Sequence, residues 1–582
     1  VGPEPTFRPT PIVGLFCLGL LALMASGPFL WPFHSQPIPS FWSEWWAGAL
    51  GLAAAFVLLI GGSRNLPLPA LLGIPAVLLL VLLLQFMLGR LAFAQIGLLH
   101  TTYLLWAGLL LILGRHLAAT VGLPRLAAVL ACAFALGALA GAAIAIAQWF
   151  GITAGVPWIF PHLGGGVYAN LGQANHHAHY SWLGIASLFY LRGRGWLSRP
   201  LLWLIVLPIA LGSVLGGSRS VLLYPIIILV AIILAKRRAP NGTVAPLLAD
   251  ALLLLPAVVV LSFLGSWLPP GGAAVTSVER LYQSVDGSSV RLAVARAAWS
   301  AFLDHPWLGQ GVGNYAWASF MAAAGPTGAE PLQVAENAHN FILHGIAEFG
   351  ILATGVVVLF LGMWARRFFQ LNWELEQFWC AAVLGIGAAH ALLEYPLWYA
   401  YFLGPAALLL GASDTGKTII LSGRRTLIYL SLATLGGASI LAGLRADYAA
   451  IERVSYQPLA AHADRERAWR ISMDQLTRLH RESLLAPWAL MALTNLSEPS
   501  RLMAQERATL CERGIRFSPA RPLVSRCAIQ LAIAGRQDAA IGLTRAVLRA
   551  YPTERAATVD ELSQAASEYP EVMSLLRIGQ QS

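Results

Sequence analysis

LAAVLACAFALGALAGAAIAIAQWF, residues 126–150, carries no charged side chain. A helix of that length exceeds the roughly 20 residues needed to cross about 30 Å of hydrocarbon. Pro11–Phe33, Leu201–Leu215, Leu252–Leu268 and Phe341–Trp364 approach or exceed the same length. The 582 residues are 57% hydrophobic and 11% charged, with a mean hydropathy of +0.65. That balance belongs to a polytopic membrane protein and not to a string of soluble domains.

Apolar helices are expected near 11–33, 43–61, 67–88, 93–114, 126–149, 178–191, 200–215, 220–235, 247–267, 340–364, 378–393, 396–411 and 426–444. The fold expected is therefore an all-α polytopic membrane protein of about 13 transmembrane helices. The first run follows Arg8, is too long for a signal-peptide core and reads as an uncleaved anchor. With its N-terminus cytoplasmic, fifteen basic residues fall in inner loops. The outer ones hold Arg90, Arg219, Arg280, Arg291 and Arg296. The excess of Arg and Lys marks the cytoplasmic side. It places residues 151–177, the loop 268–339, the turn at Glu394-Tyr395 and everything after Leu444 in the periplasm of an inner-membrane protein.

The net charge of +10 is spread over helix ends, and Lys236 and Lys417 are the only lysines, which argues topology and not nucleic-acid binding. Residues 1–444 read as a transmembrane domain with a partly helical periplasmic loop at 268–339. Residues 445–582, rich in Arg, Ala, Leu and Glu, read as a soluble helical domain. Within it, Leu531–Ala540 followed by Leu543, Ala546, Leu548 and Tyr551-Pro552 has the pattern of one tetratricopeptide-like helix pair, with a plain bundle as the equal alternative. Cys17, Cys132 and Cys380 fall in spans as packing residues. Cys511 and Cys527 lie where oxidation is permitted.

Gly411-Ala412-Ser413-Asp414-Thr415-Gly416-Lys417-Thr418 matches the phosphate-loop pattern but follows an apolar helix instead of a buried strand, so it reads as a cytoplasmic turn. Gly309, Gly311 and Gly313 likewise make a turn in the exported loop. His162, His176, His177 and His179 suggest metal, yet no three ligands with a supporting shell can be picked out, and no metal is expected. The stretch Asn170–His176 reads instead as lining for a polar cavity that takes a hydroxyl-rich ligand.

Arg219 and Arg291 stand on the face where basic residues are depleted. Interfacial snorkelling explains one such residue. Two guanidinium groups on that face suit a phosphate-bearing ligand at the outer leaflet. His339, where the exported loop meets the next apolar helix, can act as a general base near pH 7. By itself it reads more readily as a satisfied helix-start histidine, and the surrounding pattern reverses that preference.

These motifs occur in a set order: Gly172-Gln173-x-Asn175-His176, then Ser218-Arg219, Arg291, His305-Pro306-Trp307-Leu308-Gly309-x-Gly311, His339-Asn340, Ala347-Glu348-Phe349-Gly350 and Leu393-Glu394-Tyr395-Pro396-Leu397-Trp398-Tyr399. The set resembles the O-antigen ligase and polymerase (WaaL/Wzy) superfamily, and with the helical tail it looks like bacterial O-linked oligosaccharyltransferases of the PglL type. The resemblance covers about residues 165–411 in motifs and the tail in layout. It implies a GT-C-like arrangement, an undecaprenyl-diphosphate-linked oligosaccharide as donor, and transfer without a metal cofactor to Ser or Thr of a periplasmic protein such as a pilin. By motif position, Arg219 and Arg291 would hold the diphosphate and His339 would take the acceptor proton. Gln173, Asn175, His176, Asn340, Glu348, Glu394 and Tyr395 would support the site.

The alternatives within the superfamily are a ligase acting on lipid A-core and an O-antigen polymerase. A polysaccharide exporter or flippase is the alternative of a different class. Transporters place binding sites near the midplane between repeated halves, whereas here the polar residues gather on one face.

Overall fold

The computed structural model describes residues 11–153, 155–240, 242–268, 285–325, 334–456 and 465–581. Arg8, Arg280 and the Pro269-Pro270-Gly271-Gly272 opening of the loop 268–339 lie outside the described residues. Every expected span falls on a helix. Among the described residues, eight helical stretches are long and apolar enough to cross a membrane. One of them, Ala94–Trp149, holds two expected spans joined through a π-helical turn at Ala118–Gly122. Leu432 and Leu435 on the Arg424–Tyr456 helix are 70% and 67% exposed, which is favourable only against lipid. The chain is an all-α polytopic membrane protein.

It forms two compact units. The first comprises residues 1–75, 103–285 and 358–441. At its heart the helix Leu123–Trp149 packs on Ala174–Gly193 and Arg199–Leu215. Lipid supplies no hydrophobic drive between helices, so close van der Waals approach must hold them. The alanines and glycines of the quoted stretch permit it. A methyl group on Gly184 would lie 2.2 Å from Ala138 Cβ, and one on Gly212 would lie 3.2 Å from Ala142 Cα. Phe134, Trp182 and Trp379 fill the remaining interior. Cys17 and Cys380 are buried among apolar neighbours, and Cys132 is half-buried.

Strands Asn65–Leu68 and Ile419–Ser422 pair antiparallel in this unit, with Leu66 opposite Leu421. They close the turn that mimics a phosphate loop. Asp414 is fully buried there, accepting from Leu71 N at 3.4 Å, Arg367 Nη2 at 3.3 Å and Gly416 N at 2.8 Å. The order is helix, turn, strand, the reverse of a phosphate-binding loop, and the aspartate occupies the amide and guanidinium that an anion would need.

The second unit comprises residues 76–102, 286–357 and 442–582. Its tail helices pack in succession: Arg465–Glu482 on Ala486–Leu496, Ala504–Phe517 on Arg521–Ile533, and the latter on Gln537–Ala550. The tail also grips the helix Tyr315–Ala323, through Phe320 against Tyr551 and a hydrogen bond from Arg549 Nη1 to Ala324 O at 3.4 Å. Phe517 meets Phe93 edge-on at 5.8 Å.

Cys511 and Cys527 form a disulfide that closes a loop of sequence separation 16. A loop of that length contributes about 3 kcal/mol. The double variant Cys511→Ser/Cys527→Ser is expected to unfold its tail earlier, read as faster tryptic cleavage within residues 465–581. The wild type is expected to match it only under reductant. Equal cleavage of wild type with and without reductant would refute the assignment.

Candidate active site

The Phe341–Phe369 helix is broken at Gly350, whose φ of 76° and ψ of 176° lie outside any helical region. A break in an apolar helix strands backbone donors and acceptors that lipid cannot satisfy. The glycine-rich turn satisfies them. Ile351 N donates to Pro306 O at 2.8 Å, Gln310 N to Ala347 O at 3.0 Å and Gly311 N to Glu348 O at 3.4 Å. Gln85 Nε2 bridges Leu308 O and Glu348 O, both at 2.7 Å, while its Oε1 accepts from Val312 N at 3.2 Å. Close approach requires glycine on both sides: a Cβ at Gly309 would sit 2.2 Å from Glu348 O. The motif His305–Asn314 is thus a plug that completes the kinked helix.

The Glu348 side chain, 3% exposed, points into this junction. Its Oε1 accepts from Gly313 N at 3.0 Å and Tyr315 N at 3.2 Å, and its Oε2 lies 3.2 Å from His344 Nε2. On the other side of the imidazole, His344 Nδ1 accepts from Ala338 N at 3.3 Å. His339 follows directly. It is half-buried and adopts a φ of 47°, the left-handed region that few non-glycine residues occupy. Asn340 then starts the helix, its Oδ1 accepting from Ile342 N and Leu343 N at 3.0 Å each. Asparagine ahead of an apolar run is a strong helix start, and here it places the histidine just outside the first turn.

Arg291 belongs to the same unit, exposed on the helix Val285–Asp304. That helix is held one turn further on, where Tyr315 Oη donates to Val294 O at 2.9 Å. Its own Ala298 and Ala301 cluster with Ala338 and Ala347. Arg291, His339, Asn340 and Glu348 therefore share one packed framework.

Arg219, Gln173, Asn175, His176, Glu394 and Tyr395 belong to the other unit. Arg219 is half-buried at the turn before the helix Tyr224–Arg238. Asn175 Nδ2 donates to the buried Glu394 Oε1 at 2.6 Å, joining two of the expected residues directly. His176 is buried edge-on to Tyr399 at 4.9 Å and Tyr395 at 6.0 Å. Gln173 starts its helix through the backbone, accepting from His177 N at 3.0 Å. Asn170 lines no ligand space: its side chain is taken up by Leu30 O, Trp158 O and Phe160 N. His177 and His179 are buried too, the latter stacked on Phe402 at 4.6 Å. Among the described residues, no three His, Cys, Asp or Glu side chains converge to hold a metal ion.

Known proteins resemble separate parts of this chain. The family described as O-Antigen ligase matches residues 203–358, and the family described as Virulence factor membrane-bound polymerase, C-terminal, matches residues 378–566. The general O-oligosaccharyltransferase of Acinetobacter baylyi (strain ATCC 33305 / BD413 / ADP1) is 26% identical over 415 residues, 69% of this chain and 70% of that protein. In these two separate segments the chain is similar to O-antigen ligases and membrane-bound polymerases.

The ligase-family match takes in Arg219, Arg291, His339, Asn340 and Glu348, and the polymerase-family match takes in Glu394 and Tyr395. Other polar residues of the two units lie outside these motifs. His344 and Gln85 build the junction behind His339. His390, whose Nδ1 lies 2.8 Å from Tyr224 Oη, stands 4.5 Å from the His179 ring. Glu44 accepts from Ser40 and Tyr103 in the first unit. The signals were present: a His and a Glu four apart at 344 and 348, a His and a Glu four apart at 390 and 394, and single polar residues inside apolar runs at 44 and 85.

Proposed function

We propose that this chain is an O-oligosaccharyltransferase that moves an oligosaccharide from undecaprenyl diphosphate to a Ser or Thr hydroxyl of an exported protein such as a pilin. The observation that carries this reading is the likeness to a general O-oligosaccharyltransferase across 69% of the chain. In the reaction, His339 takes the acceptor hydroxyl proton as the oxygen attacks the anomeric carbon. The bond from that carbon to the diphosphate oxygen breaks, the diphosphate leaves with the electron pair, and attack opposite the leaving group inverts the anomeric centre. Arg219 and Arg291 neutralise the developing diphosphate charge, so no metal is needed. Gln173, Asn175, His176, Asn340, Glu348, Glu394 and Tyr395 support the two ends of the reaction.

The reading sets the N-terminus in the cytoplasm and His339 and the tail in the periplasm. The Cys511–Cys527 disulfide supports an oxidising compartment for the tail. A protein acceptor is favoured over lipid A-core or a second lipid-linked glycan because the tail folds in the same unit as His339, gripping the helix that precedes its loop. A glycolipid already in the bilayer needs no such docking domain.

The deciding experiment mixes purified chain with undecaprenyl-diphosphate glycan and either a pilin or lipid A-core, with chelator present, and reads product mass. Pilin is expected to gain one glycan at full rate in chelator. Mass gained by lipid A-core alone would reassign the chain as a ligase, a lengthened glycan would make it a polymerase, and transfer that needs added metal would overturn the arginine mechanism.

A further inference from the structure

We propose that His344 is a positioning residue that fixes the backbone carrying His339, acting through the Ala338 amide and locked by Glu348. The inference rests on His339 being the base. No side chain needs to touch the His339 ring for this, which distinguishes it from a triad in which a carboxylate orients the base directly.

His339 adopts a φ of 47°. A left-handed conformation costs a β-carbon-bearing residue on the order of 1–2 kcal/mol, so it persists only where neighbours on both sides over-determine it. On the C-terminal side, Asn340 caps the helix through two amides. On the N-terminal side, Ala338 N donates to His344 Nδ1. A backbone N–H can only donate, so Nδ1 must be bare and the ring proton must lie on Nε2. That nitrogen faces Glu348 Oε2 at 3.2 Å, and a carboxylate only accepts. Glu348 is in turn held by the Gly313 and Tyr315 amides. The donor directions run one way from Ala338 and His344 into Glu348, and His344 and Glu348 are each 3% exposed, so water does not compete. The glycine plug thereby reaches the base through four linked groups.

Substitutions separate the two ring nitrogens. Asparagine at 344 places an amide oxygen near the Nδ1 position and keeps the Ala338 bond, whereas glutamine reaches the Nε2 position and keeps only the Glu348 bond. Glu348→Gln presents N–H toward Nε2, drives the ring proton to Nδ1 and sets two donors face to face at Ala338. His344→Leu and Glu348→Gln are expected to lower kcat about 10- to 100-fold, the scale of a misplacement near 1 Å, with KM for the lipid-linked donor unchanged. His344→Asn is expected to recover to within a few-fold of wild type, and His344→Gln to stay low. In the double variant His339→Ala/His344→Leu no loss beyond that of His339→Ala is expected.

Transfer is measured with purified variants of matched melting temperature. Should His344→Leu fail to accumulate, the asparagine and glutamine variants decide, since both keep the site polar. Equal activity of Asn and Gln variants, or full activity of Leu, with His339→Ala inactive, would overturn the positioning role alone. Full activity of His339→Ala would overturn the base itself.

Discussion

His339→Asn is expected to lower glycan transfer by about 10²–10⁴-fold, the range general-base catalysis supplies, while leaving the melting temperature within a degree or two of wild type. Asparagine is chosen because it tolerates the left-handed backbone that His339 occupies at φ 47°, so the neighbouring Ala338 and Asn340 bonds survive. Alanine removes the same ring and should cost as much activity. A structural capping histidine would behave oppositely, with stability falling and transfer following it only in proportion. The measurement is single-turnover transfer from undecaprenyl-diphosphate glycan to a pilin, beside thermal unfolding in the same detergent. Transfer within ten-fold of wild type by both variants would exclude a proton-accepting role. An exporter without proton chemistry would retain its transport in either variant.

Gly350→Ala should strongly destabilise the second unit. At φ 76° and ψ 176° the backbone occupies a region essentially restricted to glycine, which costs a residue with a β-carbon on the order of 1–3 kcal/mol. The added carbon would also lie 2.3 Å from Trp307 O and 2.6 Å from Gly309 N, so the plug must withdraw. Withdrawal strands Ile351 N, Ala347 O and Glu348 O, the groups the plug satisfies. At a cost of 3 kcal/mol or more, the melting temperature is expected to fall by roughly 10 °C, using about 2–4 °C per kcal/mol. Transfer should fall with it, because the Gly313 and Tyr315 amides that hold Glu348 belong to the same loop. Gly355, five residues on, has open space for a methyl group, so Gly355→Ala is the control expected to change neither quantity. A Gly350→Ala protein that melts and transfers like wild type would show that the kink can be absorbed elsewhere.

Much of the molecule was legible because its determinants are one-dimensional. Span length, apolar content and the bias of arginines between loops need no partner across space, so the helices could be located from the residues alone. The Asn340 cap and the glycine turn announce themselves by residue type. Asn170 misled because an amide in a polar stretch looks the same whether it faces a ligand or its own loop. His344, Gln85, His390 and Glu44 went unread because hydropathy averages over single polar residues inside apolar runs.

The sequence by itself determined that the chain is a membrane-spanning helical protein, since burial in lipid depends on composition along the chain. Only the tertiary structure decided what Glu348 does. A carboxylate nine residues from the histidine could have touched it directly, faced lipid-side solvent or been spent elsewhere. Folding a loop from residues 305–315 onto a helix broken at Gly350 gives it two amides and His344 instead. Hydrogen-bond direction is a property of groups facing one another in space, which the linear spacing of residues does not encode.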